Sequence, residues 1–222
     1  YVLSLLSVID AEGNELALTD NGDGTFTFTQ PASKVVIKAV FAKKSNAQTS
    51  FADVPAGSYY EDAVIWAVGK GITTGTSTTA FSPDGICTRA QAVTFLWRAA
   101  GSPAPKSTAM PFTDVPAGSY YHSAVLWAIE NGITKGTSDT TFSPDADCTR
   151  AQIVTFLWRA EKSPAAGSSN PFTDVAAGAY YADAVLWAVK ENITNGSTPT
   201  TFSPDANCTR AQIVTFLYRC MK

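Results

Sequence analysis

Two kinds of hydrophobic pattern divide the chain. Through residues 1–44, apolar and polar positions alternate in the manner of β-strands, most clearly in TFTFTQ and KVVIKAVFA. From residue 51 onward, apolar residues recur at helical spacing, and connectors rich in Ser, Pro, Ala and Gly interrupt them. The pattern therefore predicts a mainly α chain with a short N-terminal β segment.

The α region contains one sequence three times. The copies begin at Phe51, Phe112 and Phe172 and match at almost every position. A unit of this size cannot bury two apolar helices alone, so we expect the three units to pack around a common axis. We assign a β segment, a linker and three repeats to residues 1–44, 45–50, 51–100, 112–161 and 172–222.

Each repeat is predicted to be a helix, a loop and a second helix. The first helix covers DAVIWAVGK, SAVLWAIEN or DAVLWAVKE, which are apolar on nearly every side and therefore buried. It is expected to end at Gly71, Gly132 or Asn192, because Gly and Asn tolerate the left-handed conformation that closes a helix. In the loop that follows, we expect the aromatic rings of three equivalent residues to point inward: Phe81, Phe142 and Phe202.

The second helix carries a start signal in every copy. A Thr is followed three residues later by Gln, which is the capping-box pattern that satisfies the first free amides of a helix. The pattern predicts that these helices begin after Thr88, Thr149 and Thr209.

Taken together, the motifs Phe-x-Asp-Val, Gly-Ile-Thr-x-Gly, Phe-Ser-Pro-Asp and Thr-Arg-Ala resemble those of the S-layer homology family. Asn192 replaces the first glycine of the second motif in the third copy, and the resemblance covers about three quarters of the chain. It implies a pseudo-threefold prism whose inter-repeat grooves bind an anionic secondary cell-wall polysaccharide, often a pyruvylated one. The implied role is non-covalent attachment of a surface protein to the cell wall or cell surface of a Gram-positive bacterium.

The resemblance also implies which residues contact the ligand. The arginines of the Thr-Arg-Ala box are the main contacts, and glycines and small polar residues of the inter-helix loop assist them. They correspond here to Arg89, Arg150, Arg210, Gly75, Gly136, Gly196, Thr76, Thr137 and Ser197. All three copies depart from the family in having Gln for the Glu of the box and Cys for the preceding Ile or Val. These departures leave the identity of the sugar open.

An Arg in the first turn of a helix adds its donors to free backbone amides and to the positive end of the helix dipole. Such a site suits a carboxylate or a phosphate. The alternative is structural, with each Arg pairing an aspartate that holds the repeats together. The candidates for that role are Asp53, Asp114, Asp174 and the aspartates of the Ser-Pro-Asp turns. The residues alone favour neither interpretation.

Composition and charge argue against some classes of binding partner. The 222 residues are 45% hydrophobic and carry a formal net charge of −3, which argues against a nucleic-acid partner. No apolar run approaches the roughly 18 residues of a membrane span, so membrane insertion is not expected. The opening residues have strand character and no leader sequence, so we expect a piece of a longer protein, with residues 1–44 closing a small β module.

The sequence gives only weak signals for calcium binding, disulfide bonds or catalysis. Ser-Pro-Asp predicts a turn and lacks the ligand spacing of a calcium loop. Cys208 and Cys220 lie about 18 Å apart on one helix and cannot form a disulfide with each other, so buried reduced thiols are expected. His122 is the only histidine and occurs in one copy. We therefore expect no catalytic residue, no metal and no cofactor.

Two further alternatives stay open at this point. One Tyr of each tandem pair, such as Tyr59 and Tyr60, is expected in the core, and the other can reach the groove. The competing function is a protein-interaction or adhesion module that uses the same grooves or the prism face to bind another surface protein.

Overall fold

A computed structural model describes residues 2–21, 25–42 and 51–222. The chain divides into two compact units, Tyr1–Ala47 and Gln48–Lys222. The strands are β1 (Val2–Ile9), β2 (Thr19–Asp20), β3 (Phe26–Thr27) and β4 (Val36–Ala42). The helices are α1 (Glu61–Gly69), α2 (Arg89–Ala99), α3 (His122–Glu130), α4 (Arg150–Ala160), α5 (Ala182–Lys190) and α6 (Arg210–Met221).

The first unit contains all four of these strands. β1 pairs with β4 in antiparallel orientation, and β2 pairs with β3 in the same way. A β segment was predicted here, but β2 and β3 each span two residues, which is shorter than the alternation in the sequence suggested. The predicted linker at residues 45–50 lies outside the described residues.

The second unit confirms the predicted helix–loop–helix repeats. Within the described residues, every repeat contributes two helices, and the first of them ends where the sequence predicted. The left-handed residues that close these helices are Gly71, Gly132 and Asn192, with φ of 69°, 67° and 58°. In the first repeat, the amide of Ile72 then donates to the carbonyl oxygen of Ala67 at 2.8 Å, which completes the turn.

Capping boxes start α2, α4 and α6, as predicted. In α2, the amide of Gln91 donates to the hydroxyl of Thr88 at 3.3 Å, and the amide of Thr88 donates to the Gln91 side chain at 3.2 Å. The same reciprocal pair is present in the other two repeats. The exchange of Glu for Gln in this box therefore leaves the cap intact.

The loop between the helices is fixed by an aromatic ring and a carboxylate. Phe81 is fully buried, as are Phe142 and Phe202, which confirms the prediction that they point inward. The Asp53 carboxylate accepts the amides of Phe81 and Ser82 at 2.8 and 2.7 Å. The aspartates of the opening motif thus hold the loop of their own repeat, and the other two repeats contain the same pair of bonds.

Contacts pass from each repeat to the next and from the third back to the first. The second helix of one repeat packs on the first helix of the following one, in the pairs α2–α3, α4–α5 and α6–α1. α2, α4 and α6 also contact one another. Each repeat thus buries its apolar helices against both of the others, which is how three small units share one core.

Three cysteines lie where the repeats meet. The amide of Cys148 donates to the carbonyl of Cys87, that of Cys208 to Cys148, and that of Cys87 to Cys208, at 2.8, 2.8 and 3.0 Å. All three side chains are buried and their thiols are free, which confirms the expectation drawn from the sequence. Burial raises the pKa of the Cys87 and Cys148 thiols to about 12.

Candidate functional site

The three arginines of the repeated box lie at the junctions between repeats. Each stands at the first position of its helix, directly after the capping Thr. Arg89, Arg150 and Arg210 are 3%, 5% and 5% exposed, so their side chains do not stand free in solvent. Any ligand that binds at these arginines therefore meets guanidinium groups that are largely buried.

Each arginine is bonded to the loop of the next repeat. The Nε–H of Arg89 donates to the carbonyl oxygen of Phe142 at 2.9 Å, and the guanidinium lies 4.8 Å from the centre of that ring. Arg150 bonds to Phe202 in the same way at 2.8 Å. A carbonyl acceptor and an aromatic face stabilise a buried cation, so this part of the role is structural.

No ion pair of these arginines is found among the described residues, so the alternative in which each Arg pairs with an aspartate is not observed there. The carboxylates of Asp53, Asp114 and Asp174 instead accept hydrogen bonds from loop amides of their own repeats. Burial raises the pKa of Asp174. The hydrogen bonds from the amides of Phe202 and Ser203 and the nearby charge of Arg150 together outweigh that effect, so the pKa is lowered overall. The guanidinium charge is therefore left without a bonded counterion, and burial lowers the pKa of all three arginines.

Two open cavities reach these guanidinium groups. The first has a volume of about 370 Å³, is lined by Arg89, and is called here the Arg89 cavity. The second, of about 560 Å³, is lined by Arg150 and is called the Arg150 cavity. Each cavity is built by all three repeats, because one supplies the Arg, the next supplies its loop and second helix, and the remaining one supplies a Tyr. The residues beside Arg89 include Thr134, Lys135, Gly136, Thr137, Gln152, Arg159 and Tyr180. Those beside Arg150 include Tyr59, Thr194, Asn195, Gly196, Ser197, Asn207, Gln212 and Arg219.

A second arginine lines each cavity, and the sequence reasoning missed it. Arg159 is half-buried and donates to the carbonyl of Ile133 at 3.1 Å, and Arg219 does the same to Ile193 at 3.1 Å. Both follow the box arginine of their own helix by nine residues, which is about half a turn out of phase. In α4, Arg150 and Arg159 therefore face different cavities. The signal in the sequence was the recurrence of this Arg in every copy.

The tandem tyrosines divide as expected. Tyr60, Tyr121 and Tyr181 pack against the core. Tyr59 and Tyr180 are 62% and 60% exposed and line the Arg150 and Arg89 cavities. Their exposed rings offer a flat apolar surface beside the guanidinium groups, which suits a sugar ring.

The predicted loop residues follow the same division. Gly136 and Thr137 line the Arg89 cavity, and Gly196 and Ser197 line the Arg150 cavity. In all three repeats this hydroxyl is bonded within its own loop: Thr76 to the Ala80 carbonyl and to Ser82, Thr137 to the Thr141 carbonyl and to Ser143, and Ser197 to the Thr201 carbonyl and to Ser203.

The glycines have a structural reason of their own. A Cβ on Gly136, where φ is 82°, would lie 2.5 Å from the ring of Phe112. Gly75 and Gly196 meet the equivalent rings of Phe51 and Phe172 in the same way. Their presence in every copy is therefore explained by packing, whether or not a ligand touches them.

The cavities combine cationic donors, hydroxyl groups, an amide side chain and an exposed aromatic ring. Such a set can hold a saccharide that carries an acidic group, since the cations suit the acid and the aromatic ring suits a pyranose face. Among the residues that the structure describes, no cluster of His, Cys, Asp or Glu has the arrangement of a metal site. Within the same residues, none of the helices has the length and apolar character needed to cross a membrane.

The comparison with protein families agrees with these repeats. The model of the S-layer homology domain matches residues 50–93, 111–154 and 171–214. The three matches cover more than half of the chain, and each begins one residue before a repeat found in the sequence and ends within the second helix of that repeat. The chain therefore belongs to the S-layer homology family.

The chain is similar to parts of two surface-layer proteins and of an enzyme. The chain is 27% identical to the surface-layer 125 kDa protein of Lysinibacillus sphaericus over 89% of its own length and 17% of that protein. It is 26% identical to an S-layer protein of Bacillus thuringiensis subsp. finitimus over 84% of its length and 23% of that protein. An endoglucanase of Bacillus sp. strain KSM-635 is 35% identical over 51% of the chain and 12% of the enzyme. The chain thus spans less than a quarter of each of these relatives.

The family and these relatives place the chain at the cell surface or in the cell wall, as the sequence predicted. The endoglucanase match covers a small part of that enzyme and gives no reason to assign catalysis to this chain.

Proposed function

We propose that residues 51–222 attach a surface protein non-covalently to the cell wall by binding an acidic secondary wall polysaccharide in the grooves between repeats. The family is generally one of wall attachment, and pyruvylated sugars are the ligand class that the resemblance implies. The observation that carries the proposal is a cationic guanidinium at each repeat junction. It is desolvated and has no bonded carboxylate among the described residues.

We further infer that the three repeats form a pseudo-threefold prism. The cyclic helix contacts and the ring of cysteine backbone bonds support it, because each contact recurs between successive repeats and also from the last to the first. In such a prism every groove has the same three contributors, which matches the composition of both cavities.

The burial of the arginines limits which of their donors a ligand could reach. The Nε–H is already used by a carbonyl oxygen, so a ligand acid would meet the remaining donors, with the second arginine opposite. Thr137 and Ser197 line the same cavities, with their hydroxyls bonded within their own loops.

Residues 1–44 are proposed to belong to a small β module that precedes the repeats in a longer surface protein. The four strands of the first unit support this assignment.

Sedimentation with purified cell walls tests the function. We expect the chain to sediment with intact walls and to stay in solution when the secondary polymer has been removed from the same walls. Equal sedimentation with stripped walls would contradict a polysaccharide ligand and favour the alternative, a module that binds another surface protein through the same grooves.

A further inference from the structure

A ring of backbone hydrogen bonds brings three cysteines together where the repeats meet. Cys87, Cys148 and Cys208, called here the central cysteines, come one from each repeat. The amide of each donates to the carbonyl oxygen of another, at 2.8, 2.8 and 3.0 Å, so the three backbones close a triangle. The structure describes the reduced chain, in which all four thiols are free.

Antiparallel pairing sets the distance between neighbouring members of this ring. Thr88 forms an antiparallel bridge with Asp147, so Cys87 and Cys148, one position away in each segment, stand opposite each other. Opposite residues that share a backbone hydrogen bond have Cα atoms about 5.5 Å apart and side chains on the same face. A disulfide bond usually joins Cα atoms that are about 4.4–6.8 Å apart, so this spacing suits one. The same bridge recurs at the other two sides of the ring, in the pairs Thr149–Asn207 and Ile86–Thr209.

The three thiols occupy one side of the ring. Successive side chains of an extended segment point to opposite faces. The central cysteines are fully buried, whereas the residue before each of them is exposed. Burial is the main cause of the raised pKa of Cys208, and the neighbouring Cys148 and Cys87 add to it, although Arg150 opposes them. The thiols therefore share one buried space under the triangle of backbone bonds.

A thiol brings chemistry that an aliphatic side chain at this position lacks. The family usually has Ile or Val here, and either would fill the buried space, yet all three copies of this chain have Cys. Disulfide bonds form and persist outside the cell, which is where the family and the relatives place this chain.

From this geometry we propose that two of the three central cysteines form one disulfide bond between repeats when the chain folds in the presence of a small-molecule disulfide, and that the third keeps its thiol. The bond joins two repeats covalently at the point where all three meet. The proposal does not depend on which ligand the grooves between repeats bind.

The reaction is a thiol–disulfide exchange in two steps. One protein thiolate attacks a sulfur of the small disulfide and expels a thiolate, and the second protein thiolate then attacks the mixed disulfide and expels the other half. The two protein thiols give up their protons to the two thiolates that leave. The protein gains one sulfur–sulfur bond, and the small disulfide is reduced to two thiols.

The closed ring decides when this exchange takes place. Burial raises the pKa of Cys87 and Cys148 to about 12, so the attacking thiolate is scarce once the repeats have closed. The exchange therefore occurs while the repeats are still open, during folding. The closed ring afterwards shields the disulfide bond from reductants in solution.

Refolding in a redox buffer, followed by mass spectrometry, tests the proposal. The Cys220→Ala chain, which copies Ala99 and Ala160 at the equivalent positions, is unfolded in urea and refolded with oxidised and reduced glutathione. It is then alkylated in denaturant. We expect the loss of two hydrogen atoms and the addition of one alkyl group, with a peptide that links two central cysteines. Three alkyl groups on a chain whose circular dichroism is native would overturn the proposal.

Two variants with the same number of thiols separate proximity from general reactivity. Cys148→Val with Cys220→Ala keeps Cys87 and Cys208, which lie opposite each other, and should form the disulfide bond. Cys87→Val with Cys148→Val keeps Cys208 and Cys220, about 18 Å apart on α6, and should keep both thiols. Equal oxidation within single chains of the two variants would show that the ring does not direct the bond.

Urea unfolding tests whether the bond stabilises the repeats. A crosslink between repeats restricts the unfolded chain, so the oxidised Cys220→Ala chain should unfold at a higher urea concentration than the same chain after reduction. Identical midpoints would contradict a bond that holds the repeats together.

Discussion

The Nε–H of Arg210, in the last repeat, donates to the carbonyl oxygen of Phe81, in the first repeat, at 2.8 Å. The two residues are 129 positions apart in the sequence. The equivalent bonds of Arg89 and Arg150 join neighbouring repeats, so the Arg210 bond is the one that returns from the third repeat to the first. It is one of the contacts that join the last repeat back to the first.

Replacing Arg210 by Met should therefore destabilise the repeat unit. The variant leaves the Phe81 carbonyl without its charged donor, and a hydrogen bond of this kind contributes about 1.5–3 kcal/mol. Urea unfolding measures the loss, with Lys70→Met as the control because Lys70 is exposed. A free energy of unfolding equal to that of the control would show that this bond contributes little to closing the ring.

Gly136→Ala should be far more damaging than Gly118→Ala. Both glycines have positive φ, 82° and 87°, so each substitution introduces backbone strain of about 1–2 kcal/mol. A Cβ at Gly136 also lies 2.5 Å from the ring of Phe112, whereas a Cβ at Gly118 meets nothing within 4 Å. Overpacking should add roughly 1–3 kcal/mol at Gly136 alone. Equal urea midpoints for the two variants would contradict the packing explanation.

The stability contributed by Asp174 should depend on pH. Its folded pKa lies below the unfolded value of about 3.9, so its contribution is complete above that value and is lost as the pH falls through the folded pKa. Asp174→Asn can accept only one of the two loop amides. We expect it to be less stable than the wild type at pH 7 by about 1–2 kcal/mol. The difference should shrink as the pH is lowered from 4 to 2, which unfolding curves at successive pH values measure. A constant difference across that range would argue against an ionised carboxylate at this loop.

The cysteines at the meeting point of the repeats should resist thiol reagents in the native state. Their burial raises the pKa of Cys87 and Cys148 to about 12, so at pH 8 the reactive thiolate is scarce as well as inaccessible. Titration with a coloured disulfide reagent should be slow in buffer and reach all four cysteines in denaturant. Rapid reaction of three thiols in buffer would show that the repeats do not meet there.

Lys135 should strengthen binding at one site only. It lines the Arg89 cavity, while Asn195 stands at the equivalent position of the Arg150 cavity. Lys135→Thr copies the residue of the first repeat, Thr74, and removes an exposed charge that contributes about 0.5–1 kcal/mol, or roughly a two- to fivefold change in affinity. Calorimetry with pyruvylated wall polysaccharide should show this loss for Lys135→Thr, and Asn195→Thr is the uncharged control. An equal effect of the two variants would exclude a specific electrostatic role for Lys135.

The local features of each repeat could be predicted from the sequence because their causes are local. The capping box depends on Thr88 and Gln91, and the helix end depends on a residue such as Asn192 that tolerates positive φ. The inward position of Phe81 followed from its recurrence in each copy. These predictions needed no knowledge of how the repeats pack.

The site was harder to predict because every part of it comes from a different repeat. The sequence identified Arg89, but its burial depends on the loop around Phe142, which lies 53 residues further along the chain. Arg159 was missed because it faces away from Arg150 on the same helix.

The most direct measurement is calorimetric titration of the chain with wall polysaccharide released into solution, before and after mild acid has removed its ketal-linked pyruvate. If guanidinium groups at the repeat junctions recognise an acidic sugar, the untreated polymer should bind and the treated polymer should give no heat of binding. Equal affinity for both polymers would contradict recognition of the acidic group.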